Sequence, residues 1–363
     1  MKCEFGTLCS RLSSGKNISA KLVHSQGKYP VYGGNGLRGY TDSCNFEGEC
    51  AIVGRQGAFC GNVRYFNGIA YMTEHAVVVC ANKNNNTQYL AYLLSTMQLG
   101  RLSGQSAQPG LSVKTLSKQI VDVPPLEIQS KIACILRSFD DKIEQNNAIN
   151  DNLQQQAQTL FKKWFIGKNM GFKDVSLSTL MSYAGGSQPP ASEFIATPRD
   201  GYVRFVQIRD YETDGHITYI PISSKNKLCE ETDIMIARYG ASLGRICFGL
   251  NGAYNVALAK VFPKKPYYRE FLRCYLSSRD FYEGINNRGG RSAQAGFNES
   301  DIRSFILSFP CDDMLVREFE NTASPMFAQR LSLLKENRKL VGIRDTLLPK
   351  LMSGEIDVSE VEV

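Results

Sequence analysis

From Leu126 to Phe165 apolar residues recur at Ile128, Ile132, Ile135, Leu136, Phe139, Ile143, Ile149, Leu153, Ala157, Leu160, Phe161 and Trp164, with no proline or glycine between them. Steps of three, four and seven predict one long amphipathic helix. At 1.5 Å per residue it spans about 60 Å, more than a small core needs, so the pattern predicts a coiled-coil arm. Its middle is polar, with Gln145-Asn146-Asn147 and then Asn150-Asp151-Asn152. Such amides either sit on a helix seam, where they fix register at some cost in stability, or form a solvated face. A second arm is predicted from about Asp312 to Leu351, its stripe carried by Leu331, Leu334, Val341, Leu347, Leu348 and Leu351. Pro325 is expected to kink or break it early. Ile132, Phe139, Ile143, Leu153 and Leu160 of the first arm and Leu331, Leu334, Val341 and Leu348 of the second are the expected helix-pairing and partner-docking positions. Glu355, Asp357, Glu360 and Glu362 predict a frayed acidic tail.

Each arm follows a region of short strand-like runs broken by glycine-rich turns. In the first, Ala51–Val53, Asn62–Phe66 and Ala76–Cys80 read as strands and Gln88–Leu99 as a helix. In the second, Val203–Ile208, Ile217–Ile220, Asp233–Ala237, Arg245–Phe248 and Ala257–Phe262 read as strands, and Tyr268–Ser277 as a helix. The two regions repeat one another. Arg55-x-Gly57-x-x-x-Gly61 parallels Arg238-x-Gly240-x-x-x-Gly244, and Ser106-Ala107-Gln108-Pro109-Gly110 parallels Ser292-Ala293-Gln294-Ala295-Gly296. The offset drifts from about 183 to about 186 residues, as two copies of one unit with small insertions would. The expected architecture is mixed α/β of the α+β kind: a module at 1–123, a helical spacer at 124–168, a similar module at 169–310, a second spacer at 311–354 and a tail at 355–363. Antiparallel packing of the arms, with the modules related by a pseudo-two-fold axis, is the economical arrangement.

Composition adds little. The 363 residues carry a net charge of +7, compatible with a polyanionic partner but equally with any mildly basic protein. The 11 cysteines contain no Cys-x-x-Cys pair and lack zinc-knuckle spacing, so they are expected to be mostly buried, reduced thiols in a cytoplasmic protein. No apolar run long enough to span a membrane and no signal-peptide core occur.

Enzyme signatures are missing: no Walker loop, no HExxH, no GxSxG and no amino-methyltransferase Asn/Asp-Pro-Pro-Phe/Tyr string. No catalytic residue or metal ligand is therefore assigned, and His24, His75 and His216 stand near no repeated motif. Gly34-Asn35-Gly36-Leu37-Arg38-Gly39 has dinucleotide-loop spacing, but Tyr40-Thr41-Asp42-Ser43 does not open the helix such a site needs. A glycine loop presenting Asn35, Arg38 and Tyr40 to nucleic acid is the preferred reading, and a plain surface hairpin the alternative. The repeated Arg55 and Arg238, with Tyr239 and Arg245 beside the second, are suited to guanine edges or phosphates. Gln105, Ser106, Gln108, Ser292 and Gln294 suit adenine edges or backbone, and Arg288 and Arg291 add cations on a flexible loop. The glycines and glutamines of these segments are equally suited to building a turn. An enzyme and a protein-binding scaffold remain the competing function classes.

Two modules each followed by a long helix, the arm ending Leu160-Phe161-Lys162-Lys163-Trp164-Phe165, the terminus Leu347-Leu348-Pro349-Lys350-Leu351-Met352-Ser353-Gly354-Glu355-Ile356 and the opening Pro124-Pro125-Leu126-Glu127-x-Gln129-x-Lys131-Ile132 resemble the specificity subunit of type I restriction-modification systems. The second arm departs from that opening at Cys311-Asp312-Asp313. The resemblance implies a non-enzymatic reader of double-stranded DNA. Each module would be a target recognition domain for one half of a bipartite site. The arms would set the gap and dock two modification (methyltransferase) subunits, with restriction subunits joining the assembly. It also implies that S-adenosylmethionine, ATP and Mg²⁺ bind those partners and not this chain.

Overall fold

The period-two runs of the first module build one six-stranded sheet, within a unit made of Met1–Ile143 and Lys339–Val363; a second unit is Glu144–Arg338. The computed structural model describes residues 2–102, 110–287 and 296–362. The strands of the first module are β1 (Lys2–Glu4), β2 (Cys9–Ser14), β3 (Tyr29–Gly33), β4 (Gly36–Thr41), β5 (Phe46–Gly54), β6 (Val63–Met72), β7 (Ala76–Ala81) and β8 (Ile120–Asp122). The sheet order is β2-β7-β5-β6-β3-β4, antiparallel except for the parallel β3–β6 pair, and β1 pairs separately with β8. Alternation along β5 and β7 divides the apolar residues between two cores. Ala51, Val53, Val77 and Val79 face helix α1 (Thr87–Thr96), while Cys50, Ile52, Ala76 and Val78 join Met72 and Phe46 on the other side. Asn86 caps α1 by accepting from Tyr89 N, and Ser112 caps the short α2 (Val113–Ser117) in the same way.

The first arm is α3, Leu126–Phe165, as its periodicity predicts. Gln129 of the Pro-Pro-Leu-Glu-x-Gln opening fastens its first turn. This side chain is 1% exposed; it donates to Asn85 Oδ1 and Pro124 O and accepts from Asn86 N. The motif therefore ties the start of α3 to the cap of α1.

The second module repeats the plan. Its strands are β9 (Phe172–Ser176), β10 (Met181–Gly185), β11 (Tyr202–Val206), β12 (Tyr219–Pro221), β13 (Leu228–Cys229), β14 (Met235–Ala237), β15 (Ile246–Cys247), β16 (Gly252–Tyr254), β17 (Leu258–Pro263) and β18 (Ile306–Pro310). Strand orders are β10-β17-β14-β15 and β12-β11-β16-β13, with β9 paired to β18. What the single long β6 does in the first module is shared here by β15, against β14, and β16, parallel to β11. Gly249, at φ +95°, lies between them. Helices α4 (Arg269–Leu276), α5 (Arg279–Asn286) and α6 (Glu299–Arg303) follow, and then the second arm, α7 (Met314–Ser353). Aspartates open α7 in place of proline. Asp312 Oδ1 accepts from Met314 N, while Asp313 accepts from Lys265, Tyr267 and Tyr268. The Lys265 contact is the largest of the effects that hold the Asp313 carboxyl down at about 2.

Within each unit the arms run antiparallel. In the first, Asp140 pairs with Arg344 at 2.6 Å, and Leu351 shares a core with Ile132 and Leu136. In the second, Phe319 lies 5.2 Å from Phe165 and 6.0 Å from Phe161, and Asn337 meets Asn146. The seam amides are there. Asn146, fully buried, donates to Asn337 Oδ1 at 2.9 Å and to Glu336, while Asn337 donates to Asn147 Oδ1. Asn150 is also buried, with both amide atoms unpartnered among the described residues.

Several expectations are corrected. α7 is continuous through Pro325, which stands on the exposed face, as does Asn321, whose carbonyl loses its helical donor. Water there can replace the missing bond. Ile149 is 44% exposed, because Asn146 and Asn150 occupy the seam instead. Leu333, not its neighbours, is the buried leucine of its turn; Leu331 and Leu334 approach Gly249 of the second module. Phe139, Ile143, Leu153, Leu160, Val341 and Leu348 are half-buried. The tail is not frayed: Val358 is 2% exposed, Ile356 packs on the same core, and Lys131 donates to Ser359 O at 2.5 Å. Its apolar residues alternate with the acidic ones, so one side docks while the other is solvated. Only four cysteines are fully buried, Cys50, Cys229, Cys247 and Cys274, whereas Cys44, Cys134 and Cys311 lie on turn or helix surfaces.

The amide pair predicts opposite effects for single and paired substitutions. Asn337→Leu alone removes the Oδ1 that accepts from the buried Asn146 amide and should cost about 1–3 kcal/mol in urea unfolding. Asn146→Leu combined with Asn337→Leu should recover that loss or exceed it. Additive losses in the double variant would show that the amides do not act as a pair.

Candidate nucleic-acid interface

The two arginine turns are one backbone structure built twice. In the first, Arg55 N donates to His75 O, Gly61 N to Gly54 O, Cys60 N to Gly57 O and Asn62 N to Phe59 O. In the second, Arg238 N donates to Ala257 O, Gly244 N to Ala237 O, Leu243 N to Gly240 O and Arg245 N to Ser242 O. Both glycines of each motif are left-handed: Gly57 at φ +73° and Gly61 at +87°, Gly240 at +66° and Gly244 at +82°. A side chain at those angles is strained, which is why glycine recurs at this spacing.

Both arginines reach back to the end of the first sheet strand. Arg55 Nη1 donates to Ser14 Oγ at 3.3 Å, and a Cβ on Gly185 would run into Arg238 Nη1. Their surroundings differ. Arg55 is half-buried beside exposed Gln56. The Arg238 guanidinium lies 5.1 Å from the Tyr239 ring and 5.8 Å from that of Phe297, and its Nε is buried without a partner among the described residues. Part of Arg238 thus serves packing. Arg245 is paired with Glu212 at 2.5 Å.

The glycine-rich segment at 34–39 is a hairpin linking β3 to β4, with no helix after it. Asn35 and Arg38 are exposed on it; Tyr40 is half-buried and exchanges backbone bonds with His24. Its base packs on the arginine turn, since a Cβ at Gly34 would lie 2.9 Å from His75 O and 3.4 Å from Arg55 N. Arg64 lies against Gly36. The first module therefore brings Asn35, Arg38, Arg55 and the unforeseen Arg64 to one region. Gly110 and Gly296 dock beside the turns. Gly110 forms a bridge with Gln56, and a Cβ at Gly296 would lie 2.6 Å from Arg238 O. Turn-building thus accounts for those two glycines. Gln105, Ser106, Gln108, Arg288, Arg291, Ser292 and Gln294 lie outside the described residues.

One exclusion made from the sequence is overturned. His75 does stand beside the repeated motif: its Nδ1 is 3.0 Å from Gln56 Oε1, and its Nε2 is 3.1 Å from Glu74 Oε1. The contact joins residues 19 apart, one just after β5 and one just before its neighbour β7, so no local spacing signals it.

Residues 4–155 match the type I restriction modification DNA specificity domain. Over 134 residues, 36% of the chain, the sequence is 41% identical to the specificity subunit of the type I restriction enzyme EcoprrI of Escherichia coli, of which the match spans only about a third (33%). Over 311 residues it is 27% identical to the MjaIX specificity subunit of Methanocaldococcus jannaschii, covering 76% of this chain and 70% of that one. The crystal structure of the type I restriction-modification S subunit from M. genitalium shares the fold, with a TM-score of 0.64 at 17% identity over 97% of this chain and 95% of that one.

The backbone-built turn predicts a sharp steric effect. A Cβ on Gly54 would meet Phe59 O and lie 2.7 Å from Gly34 O, so Gly54→Ala should open the Arg55 turn and its hairpin contact. The expected loss is on the order of 3 kcal/mol in thermal or urea unfolding. A variant with unchanged stability would show that the turn yields freely.

Proposed function

We propose that this chain, whose residues 4–155 match the type I restriction modification DNA specificity domain, is a DNA reader that recognises a split site, one half with each module. The duplicated arginine turn carries this reading: the same backbone presents an arginine from both modules, at Arg55 and at Arg238. A reader of two separated half-sites needs such a device twice. In the first module the turn is joined by Asn35, Arg38 and Arg64, a set of cations and an amide suited to phosphates and base edges.

The arms act as the ruler. Each is a helix of 40 residues, about 60 Å at 1.5 Å per residue, enough to cover more than one turn of duplex. The amide pair Asn146–Asn337 fixes their register and with it the gap between half-sites. Two modification subunits dock on the arms, and restriction subunits complete the assembly. S-adenosylmethionine, ATP and Mg²⁺ bind those partners, so methyl transfer and cleavage are done elsewhere while this chain selects the sequence. No helix among the described residues is long and apolar enough to cross a membrane.

The deciding experiment is single-molecule mapping of adenine methylation in cells expressing this chain with its neighbouring modification subunit, beside cells lacking the chain. A split motif that depends on the chain is the expected result. Chain-independent methylation by an assembled, cofactor-supplied complex would overturn the reading. Arg55→Ala and Arg238→Ala should each weaken selection of one half-site only, by about 1–3 kcal/mol if a base edge is read. Equal weakening on all sequences would mark a phosphate contact instead. Inserting four residues between Gln145 and Asn152, with a matching insertion in α7, should change the tolerated gap; an unchanged gap would remove the ruler.

A further inference from the structure

Gln56 stands next to Arg55 on the exposed face of the first turn. Its side chain is nonetheless oriented. Its Oε1 lies 3.0 Å from His75 Nδ1, and the other ring nitrogen of His75 faces Glu74 at 3.1 Å. In the tautomer that carries its proton on Nδ1, the ring donates to Gln56 Oε1. The backbone holds both ends of the contact: Arg55 N donates to His75 O at 3.0 Å, and Gln56 bridges to Gly110. With Oε1 engaged, the part of the amide left toward solvent is its NH2, a pure donor. No partner for that NH2 occurs among the described residues.

The second module lacks this device. Tyr239 occupies the same place, and its ring is packed beneath Arg238 at 5.1 Å and against Gly296, where a Cβ would lie 2.5 Å from Cε1. One turn presents a fixed amide donor; its duplicate presents a packed ring. A difference confined to the side chain at one position of a shared backbone is what two modules reading different sequences require. Phosphate binding does not demand it, because the adjacent arginine supplies the charge in both copies.

We propose that Gln56 is a specificity-determining residue of the first module, and that His75, held by Glu74, is the positioning residue that turns its NH2 outward toward an acceptor on a base edge: purine N7, guanine O6 or thymine O4. The proposal rests on the reading of the chain as a DNA specificity subunit.

The test is the same methylation mapping with the complete chain and its modification subunit. Gln56→Ala should relax one base position of one half-site by about tenfold, leaving the other half-site and the gap as they were. The intact half-site then reports that the variant folds and assembles. Gln56→Glu, which offers only acceptors, should move the preference at that position toward bases presenting an amino group, cytosine N4 or adenine N6. His75→Ala frees the amide and should relax the same position, whereas His75→Asn, which can still donate to Gln56 Oε1, should restore it. An unchanged motif in Gln56→Ala overturns the proposal. So does uniform loss of methylation on all sites, which would make Gln56 a phosphate contact. If the unaltered chain directs no split motif at all, the underlying functional reading fails instead.

Discussion

Neither module closes its own core, and the rest of the structure follows from that. In the second unit Phe161 and Phe165 of α3 meet both Phe319 of α7 and Phe271 of the module, and Phe271 meets Phe309, at centroid distances between 4.9 and 6.0 Å. In the first unit Ile132, Ala133 and Leu136 of α3 and Leu351 of α7 complete the core beneath the sheet. Each arm is thus a structural part of both units and not a tether between finished domains. Burial of large rings dominates such contacts energetically, and it leaves the helix pair little freedom to slide. The buried amides add direction to a seam that apolar residues alone would leave permissive, since Asn146 donates to Asn337 Oδ1 and Asn337 to Asn147 Oδ1 only in one register.

What could be read from the sequence had a period or a conformational requirement behind it. The first arm was legible because 40 residues of helical spacing admit no other element. The arginine turns were legible because left-handed angles at Gly57, Gly61, Gly240 and Gly244 admit little but glycine. Features that depend on partners distant in sequence were hidden. Pro325 reads as a breaker until its face is known to be solvent. The tail reads as acidic and loose until Ile356 and Val358 find the first core. Leu331, Leu333 and Leu334 fit one stripe equally well, and only packing separates the buried one from the two beside Gly249. The His75–Gln56 contact links the segment after β5 to the turn before β7 and leaves no local trace.

The two modules also show where a duplicated fold is conservative and where it is not. The order of the shared strands, the first-strand end under the arginine, the backbone bonds of the turn and the strand preceding each arm recur. Three of the differences are informative. β6 is replaced by β15 and β16, Ser14 by Gly185, and Gln56 by Tyr239. The first replaces one interior strand by two, so that two four-stranded sheets stand where the first module has one of six. The other two change what surrounds the arginine: a hydroxyl and an amide in one module, a bare glycine and aromatic rings in the other. Arg238 is correspondingly more enclosed than its alignment with Arg55 suggests, and its buried Nε reflects that enclosure.

Main-chain hydrogen bonds and glycine angles are what the two arginine turns share, while the side-chain bonds differ: Cys60 Sγ to Arg55 O in one, Asn286 Nδ2 to Leu243 O in the other. A loop of this kind separates inheritance of position from inheritance of identity. Point changes at the exposed Gln56 alter the surface of the turn without disturbing where that surface sits. A lineage carrying such loops can explore new targets by single substitutions that are nearly neutral for folding, each module drifting independently of its twin.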